Sequence, residues 1–281
     1  MCDQDHFEDD VRKYSRRDFG ALAAAGVGAV MLPRAANAAD VSERDVSIET
    51  PDGHCDAYFV APRSGKHAAV LVWPDIFGLR PAFRQMGKRL AESGYSVLVV
   101  NPFYRTQKAP TAPNGANTPI PDVIPLARTL DATKNTTDAK AFIAWLDAQP
   151  QVDRKRKVGT TGYCMGGPIV MRTAAAVADR VGAGATFHGG GLVTDKSDSP
   201  HLLIPKLKAQ FLIAVAENDD ERDPGAKTSL AKAFADADLT AEIEVYPAGH
   251  GWCPPDTKVH NRDQAEKAWS RMLALFEKSL A

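Results

Sequence analysis

The hexapeptide Gly162-Tyr163-Cys164-Met165-Gly166-Gly167 follows an apolar run, Lys157 to Thr161, that reads as a buried strand, and opens a helical pattern at Gly167. A cysteine between glycines at a strand-to-helix bend has the setting of a nucleophile. The bend holds its side chain out at a strained backbone angle, and bulk at Gly162 or Gly166 would collide with the adjoining strand and helix. The positive end of the helix favours thiolate over thiol, and the amide of Met165 points at a developing oxyanion. Two later segments complete such a chemistry. Glu217-Asn218-Asp219-Asp220 stands just after a strand, where an acid can orient an imidazole, and His250, in Gly249-His250-Gly251-Trp252, follows the next strand. Taken singly, an acid there is often a helix cap and a histidine there a solvated loop residue. Three such elements, each at a strand's C-terminal end, are far less readily a coincidence.

The elements that must position them alternate along the chain. Continuous apolar runs predict strands at His67–Trp73, Tyr95–Asn101, Lys157–Thr161, Ala183–Phe187, Ala209–Val215 and Ala241–Tyr246. Apolar residues at three- and four-residue spacing predict helices at Pro81–Glu92, Thr137–Ala148, Gly167–Ala178, Ala226–Ala237 and Arg262–Leu280. Gly94 reads as a C-cap, and Thr136 or Asp138 as an N-cap. Such alternation implies an α/β fold, a mostly parallel central sheet with helices on both faces. Val46–Glu49 and Cys55–Ala61, joined by the turn Thr50-Pro51-Asp52-Gly53, read as an antiparallel hairpin at its N-terminal edge. Residues 103–131 break the rhythm, with Pro110, Pro113, Pro119, Pro121 and Pro125 and little periodicity, and read as a loop or lid.

Composition excludes several classes. Of 281 residues, 34 are Lys or Arg and 35 Asp or Glu, so there is no positive surplus to hold a nucleic acid. Paired metal-ligand spacings are missing, and no metal or cofactor is expected. At the N-terminus, Ser15-Arg16-Arg17-Asp18-Phe19-Gly20 precedes the small apolar run Ala21–Leu32 and the motif Ala36-Asn37-Ala38. This pattern reads as a twin-arginine export signal cleaved after Ala38, too short and small-residue-rich for a membrane span. It leaves residues 39–281 as one domain, exported folded by the twin-arginine machinery to the periplasm or beyond, without stable membrane anchoring, and expected as a monomer.

With these residues in place, the chain resembles the dienelactone hydrolase family, carboxymethylenebutenolidases of α/β-hydrolase fold, from about Asp52 onward. The resemblance rests on Trp73-Pro74-Asp75-Ile76-Phe77-Gly78, Asn101-Pro102-Phe103-Tyr104-Arg105, the cysteine bend, Asp219, and His250-Gly251-Trp252. It implies Cys164 as nucleophile, His250 as base, Asp219 as its orienting acid and the amides of Ile76 and Met165 as oxyanion hole. Asp220 is the alternative acid, because Pro224 follows it at the family's spacing. The substrate implied is a small lactone or activated ester. Two departures bear on it: Asp75 replaces the family's thiol-modulating glutamate with a shorter acid, and of the two arginines that hold a substrate carboxylate only Arg105 has a counterpart.

His188, at the end of a strand, could touch substrate or be a hydrogen-bonded strand-end histidine. Tyr104 and Trp252 read as pocket walls, or as residues buried under the lid. With Cys164 required as a thiol, Cys55 and Cys253 are either a disulfide or two buried thiols. The alternative to a hydrolase is a non-catalytic ligand-binding or thiol redox-sensing protein on the same fold.

Overall fold

The structure, a computed structural model, describes residues 38–281; the expected export signal, apart from Ala38, lies outside them. Among the described residues one sheet of eight strands runs in the order β1-β2-β4-β3-β5-β6-β7-β8. The hairpin β1 (Val41–Thr50) and β2 (Gly53–Pro62) occupies one edge, and β2 joins β4 (Ser96–Val100) antiparallel. From β4 onward, through β3 (Ala69–Trp73), β5 (Val158–Tyr163), β6 (Val181–Phe187), β7 (Gln210–Ala216) and β8 (Ala241–Tyr246), every pairing is parallel. The hairpin is longer at both ends than the apolar pattern predicts, because ladder pairing carries polar residues such as Glu43 and Arg44 into the edge strand.

Period-two alternation divides the core. In β3, Ala69, Leu71 and Trp73 face one layer while Val70 and Val72 face the other, and β2 and β4 follow the same rule. The first layer is closed by α3 (Ala132–Asp147), α4 (Gly166–Ala176) and α6 (Pro224–Asp236), through Phe142, Val170 and Phe234. The second is closed by α1 (Pro81–Glu92) and α7 (Arg262–Ser279), through Phe83, Met272 and Phe276. Both faces are therefore dry, as parallel strands require. No helix among the described residues is long and apolar enough to cross a membrane.

Two expectations are corrected here. Helix α3 begins at Ala132, because Asp131 accepts the Lys134 amide at 2.8 Å and caps it. The Thr- and Asn-containing first turn hides this start in the sequence, and Asp138 lies inside the helix. The proline-rich segment is also not structureless. It contains α2 (Ile120–Ala127), and it packs Ala116, Ile120 and Val123 on Ile76 and Phe77 in a small core of their own. Pro121 sits in the first turn, where a missing N–H costs nothing, while Pro125 inside the helix forgoes one intrahelical bond, so a short helix forms in a composition that reads as loop.

Candidate active site

The bend between β5 and α4 is built as its glycines require. A Cβ on Gly162 would lie 2.3 Å from the Gly166 carbonyl oxygen, and one on Gly166 would lie 2.5 Å from that of Trp73. Cys164, between them, has φ 51°, its amide donates to the Phe187 carbonyl at 3.0 Å, and its own carbonyl accepts the Gly167 amide at 3.0 Å. Local strain is thus held by the neighbouring strand and the first helical turn, and the thiol is delivered to the sheet's C-terminal end.

Asp219 and His250 follow the far strands β7 and β8. Asp219 sits in the first turn of α5 (Glu217–Arg222), a short helix that the sequence reading leaves as loop. Its Oδ2 lies 2.6 Å from His250 Nδ1. The histidine loop is pinned from the same helix: the His250 amide donates to Asn218 Oδ1 at 2.8 Å, and the Glu217 amide donates to the Ala248 carbonyl at 3.1 Å. Burial opposes ionisation of Asp219, but the charge and N–H of His250 outweigh it and hold the carboxyl below its ordinary range. Asp220 turns away, its Oδ2 2.6 Å from Lys227 Nζ.

His188, fully buried and with φ 42°, packs edge-on against the His250 ring at 5.1 Å and against Trp252 at 5.0 Å. Burial, reinforced by His250 beside it, pushes its pKa well down, so it is neutral. Because His188 follows Phe187, whose carbonyl holds the Cys164 amide, the end of β6 ties the cysteine bend to the histidine loop. Trp252 stacks on Tyr246 with ring centroids 5.3 Å apart.

A cleft of about 550 Å³ opens at Cys164. Ile76 and Met165 line it beside the thiol, and Ile124, Leu130 and Ile169 extend an apolar wall. Its polar groups are Asn135, Arg128 and Arg172, none of which the sequence reading singles out. One signal existed: Pro168, Ile169 and Arg172 share a face of the helix that starts at the cysteine bend.

The remaining expected site residues are engaged elsewhere. Asp75 accepts from Arg80, Nη1 donating to Oδ1 at 2.6 Å and Nη2 to Oδ2 at 2.9 Å, and it also accepts the Phe77 amide at 2.9 Å. It shapes the turn that carries Ile76. Arg80 also reaches Asp256 through Nε at 2.6 Å and Nη2 at 2.9 Å. Arg105 forks onto Asp138, at 2.8 and 2.7 Å, and also binds Asp52, while the Tyr104 hydroxyl donates to Asp138 at 2.8 Å. These two residues lock the β1–β2 turn to α3, and they and Trp252 are not part of the cleft wall. Cys55 and Cys253 are both buried free thiols, and burial drives the pKa of each upward.

A strained cysteine bend, an acid–imidazole pair on the loops after β7 and β8 and an open, mostly parallel sheet define an α/β-hydrolase-type fold. The chain belongs to the dienelactone hydrolase family, whose pattern it matches over residues 55–280, and is thereby a hydrolase of the carboxylic ester and lactone class. A Synechocystis protein provisionally named a carboxymethylenebutenolidase is 28% identical over 251 residues, covering 86% of this chain and 98% of its own. A carboxymethylenebutenolidase of Rhodococcus opacus is 26% identical over 225 residues, covering 77% of this chain and 83% of its own. Among solved structures, a dienelactone hydrolase-like promiscuous phosphotriesterase from metagenomic libraries superposes with a TM-score of 0.71 at 21% identity, covering 86% of this chain and 99% of its own. At that identity the likeness is one of fold.

Proposed function

We propose that the protein hydrolyses lactones or activated esters through Cys164, His250 and Asp219, by way of a thioester on Cys164. The observation that carries this reading is the 2.6 Å pairing of Asp219 with His250 Nδ1, which commits the other ring nitrogen to proton exchange at the cysteine bend. His250 takes the thiol proton and the sulfur attacks the acyl carbon. The oxyanion forms at the amides of Ile76 and Met165. Collapse breaks the carbon–oxygen bond, and the leaving alkoxide takes the proton from His250. Water, deprotonated by His250, attacks the thioester, and a second collapse releases the acid and restores the thiol. No step in this cycle uses a metal or organic cofactor.

The test is a pre-steady-state acylation with p-nitrophenyl acetate. A burst stoichiometric with enzyme, trapped as a mass increase on the peptide that carries Cys164 and lost in Cys164→Ala, is the expected result. Turnover undiminished in Cys164→Ala rejects the mechanism. The export reading of residues 1–38 rests on Arg16-Arg17 and Ala36-Asn37-Ala38 alone, and N-terminal sequencing of the protein recovered from a periplasmic fraction tests it, with Ala39 as the expected first residue.

A further inference from the structure

The cleft at Cys164 has two ends of different character. Beside the thiol it is apolar, with Ile76, Met165 and Ile169; farther along α4 it ends at Arg172, with Arg128 on the exposed rim and Asn135 buried in the wall. Arg172 is poorly compensated for a guanidinium with only 16% of its side chain exposed. Its Nη2 lies 3.4 Å from the Asp198 carbonyl and 4.0 Å from that residue's carboxylate, and its buried Nε has no hydrogen-bond partner among the described residues. Arg80, Arg105 and Arg180, by contrast, each fork onto carboxylates at 2.5–3.0 Å. Burial lowers the pKa of Arg172, as expected of a charge short of counter-ions, yet it remains a cation at any working pH. Such a group, with spare donors at the end of an apolar cleft, is suited to a bidentate anion.

Resting on the reading of Cys164 as nucleophile, we propose that the cleft selects substrates whose acyl arm is an apolar chain ending in a carboxylate, and that Arg172 is the residue that selects it. The acyl arm is assigned to this cleft because a leaving group must lie against His250 to be protonated, and His250 is not part of the cleft wall. Six helical steps from Gly166 to Arg172 rise about 9 Å, the two residues of the bend add to that separation from Cys164, and helical side chains lean back toward the N-terminus, so the carboxylate lies about eight carbons along the chain. Ile124 and Leu130 shield that chain. Arg128 adds a second positive charge at the mouth, and the Asn135 amide can meet the chain or its bound water.

The test compares two p-nitrophenyl esters of equal length, the monoester of suberic acid and the octanoate, at low ionic strength. Wild type favours the suberate monoester by about tenfold in kcat/KM, the size of one charge-assisted pair. In Arg172→Gln that ratio falls to about one, and in Arg172→Lys part of it returns. A wild-type ratio at or below one, or a ratio unchanged in Arg172→Gln, overturns the proposal. Calorimetry with monomethyl suberate on the Cys164→Ala protein reads the cleft without any chemistry, and there Arg172→Gln weakens binding by about tenfold. Binding equal in both proteins also overturns it. Ester turnover that survives Cys164→Ala strikes at the triad instead, and the calorimetric arm still decides the role of Arg172.

Discussion

Arg80 binds Asp75 through both carboxylate oxygens, at 2.6 and 2.9 Å, and the same guanidinium binds both oxygens of Asp256. Asp75 precedes Ile76, whose amide is proposed to receive the oxyanion, and Asp256 lies in the loop after His250, so one side chain couples these two loops. The Asp256 carboxylate also accepts the Ala116 amide at 3.4 Å, which brings the proline-rich segment into the same network.

Removing that guanidinium leaves two acids facing each other, one of them buried. Arg80→Met is expected to destabilise the protein by about 3–5 kcal/mol. Urea unfolding at pH 7 measures it, and a loss under about 1 kcal/mol means the clamp is structurally idle. Because Asp75 fixes the turn that carries Ile76 by accepting the Phe77 amide, the variant that remains folded should lose kcat more than it raises KM.

Only one of the neighbouring acids meets His250. Asp219→Asn should lower kcat/KM for p-nitrophenyl acetate by about 10²–10⁴-fold with little change in melting temperature. Asp220→Asn, which breaks only the pair with Lys227, should stay within about threefold of wild type. Equal losses in the two variants would count against the assigned acid.

The bend can be tested with a single methyl group. Gly166→Ala forces a Cβ against the Trp73 and Pro74 carbonyl oxygens, at 2.5 and 2.9 Å, and should cost about 2 kcal/mol or more and displace the loop that carries Ile76. Gly190, also on the cleft wall, has nothing within 4 Å of its Cβ position. Gly190→Ala should therefore melt within about 1 °C of wild type while altering KM.

The stacked histidine makes stability depend on pH. His188 stays neutral when folded, whereas its ordinary value is 6.5, so below that pH the unfolded chain binds a proton that the folded chain refuses. Stability is unaffected above pH 6.5 and falls as pH drops below it, by on the order of 1 kcal/mol at pH 5.5 for this one group. His188→Asn tolerates the positive φ and removes the titration, so the drop between pH 7.5 and 5.5 should shrink by about that amount in urea titrations. An identical drop in both proteins would show that another group is responsible.

Hydrophobic order along the chain determined much of this protein. The apolar runs of β3 to β8 and the periodic faces of α1, α4 and α7 are local statements, because burial on two faces or on one writes itself into residue period. The cysteine bend was equally legible, since Gly162 and Gly166 answer to backbone sterics within five residues. Side-chain partnership was not legible. Asp75 reads as a shortened thiol-modulating acid until it and Asp256, far along the chain, are seen to converge on the guanidinium of Arg80. Arg105 reads as a substrate ligand until Asp138, hidden inside α3, takes both ends of its fork. The cleft wall was legible only in part, for the face of α4 could be drawn from periodicity but the arrival of α2 opposite it could not. Tertiary structure decided these matters because an ion pair between distant residues depends on where folding sets their backbones, a quantity that no spacing in the sequence encodes.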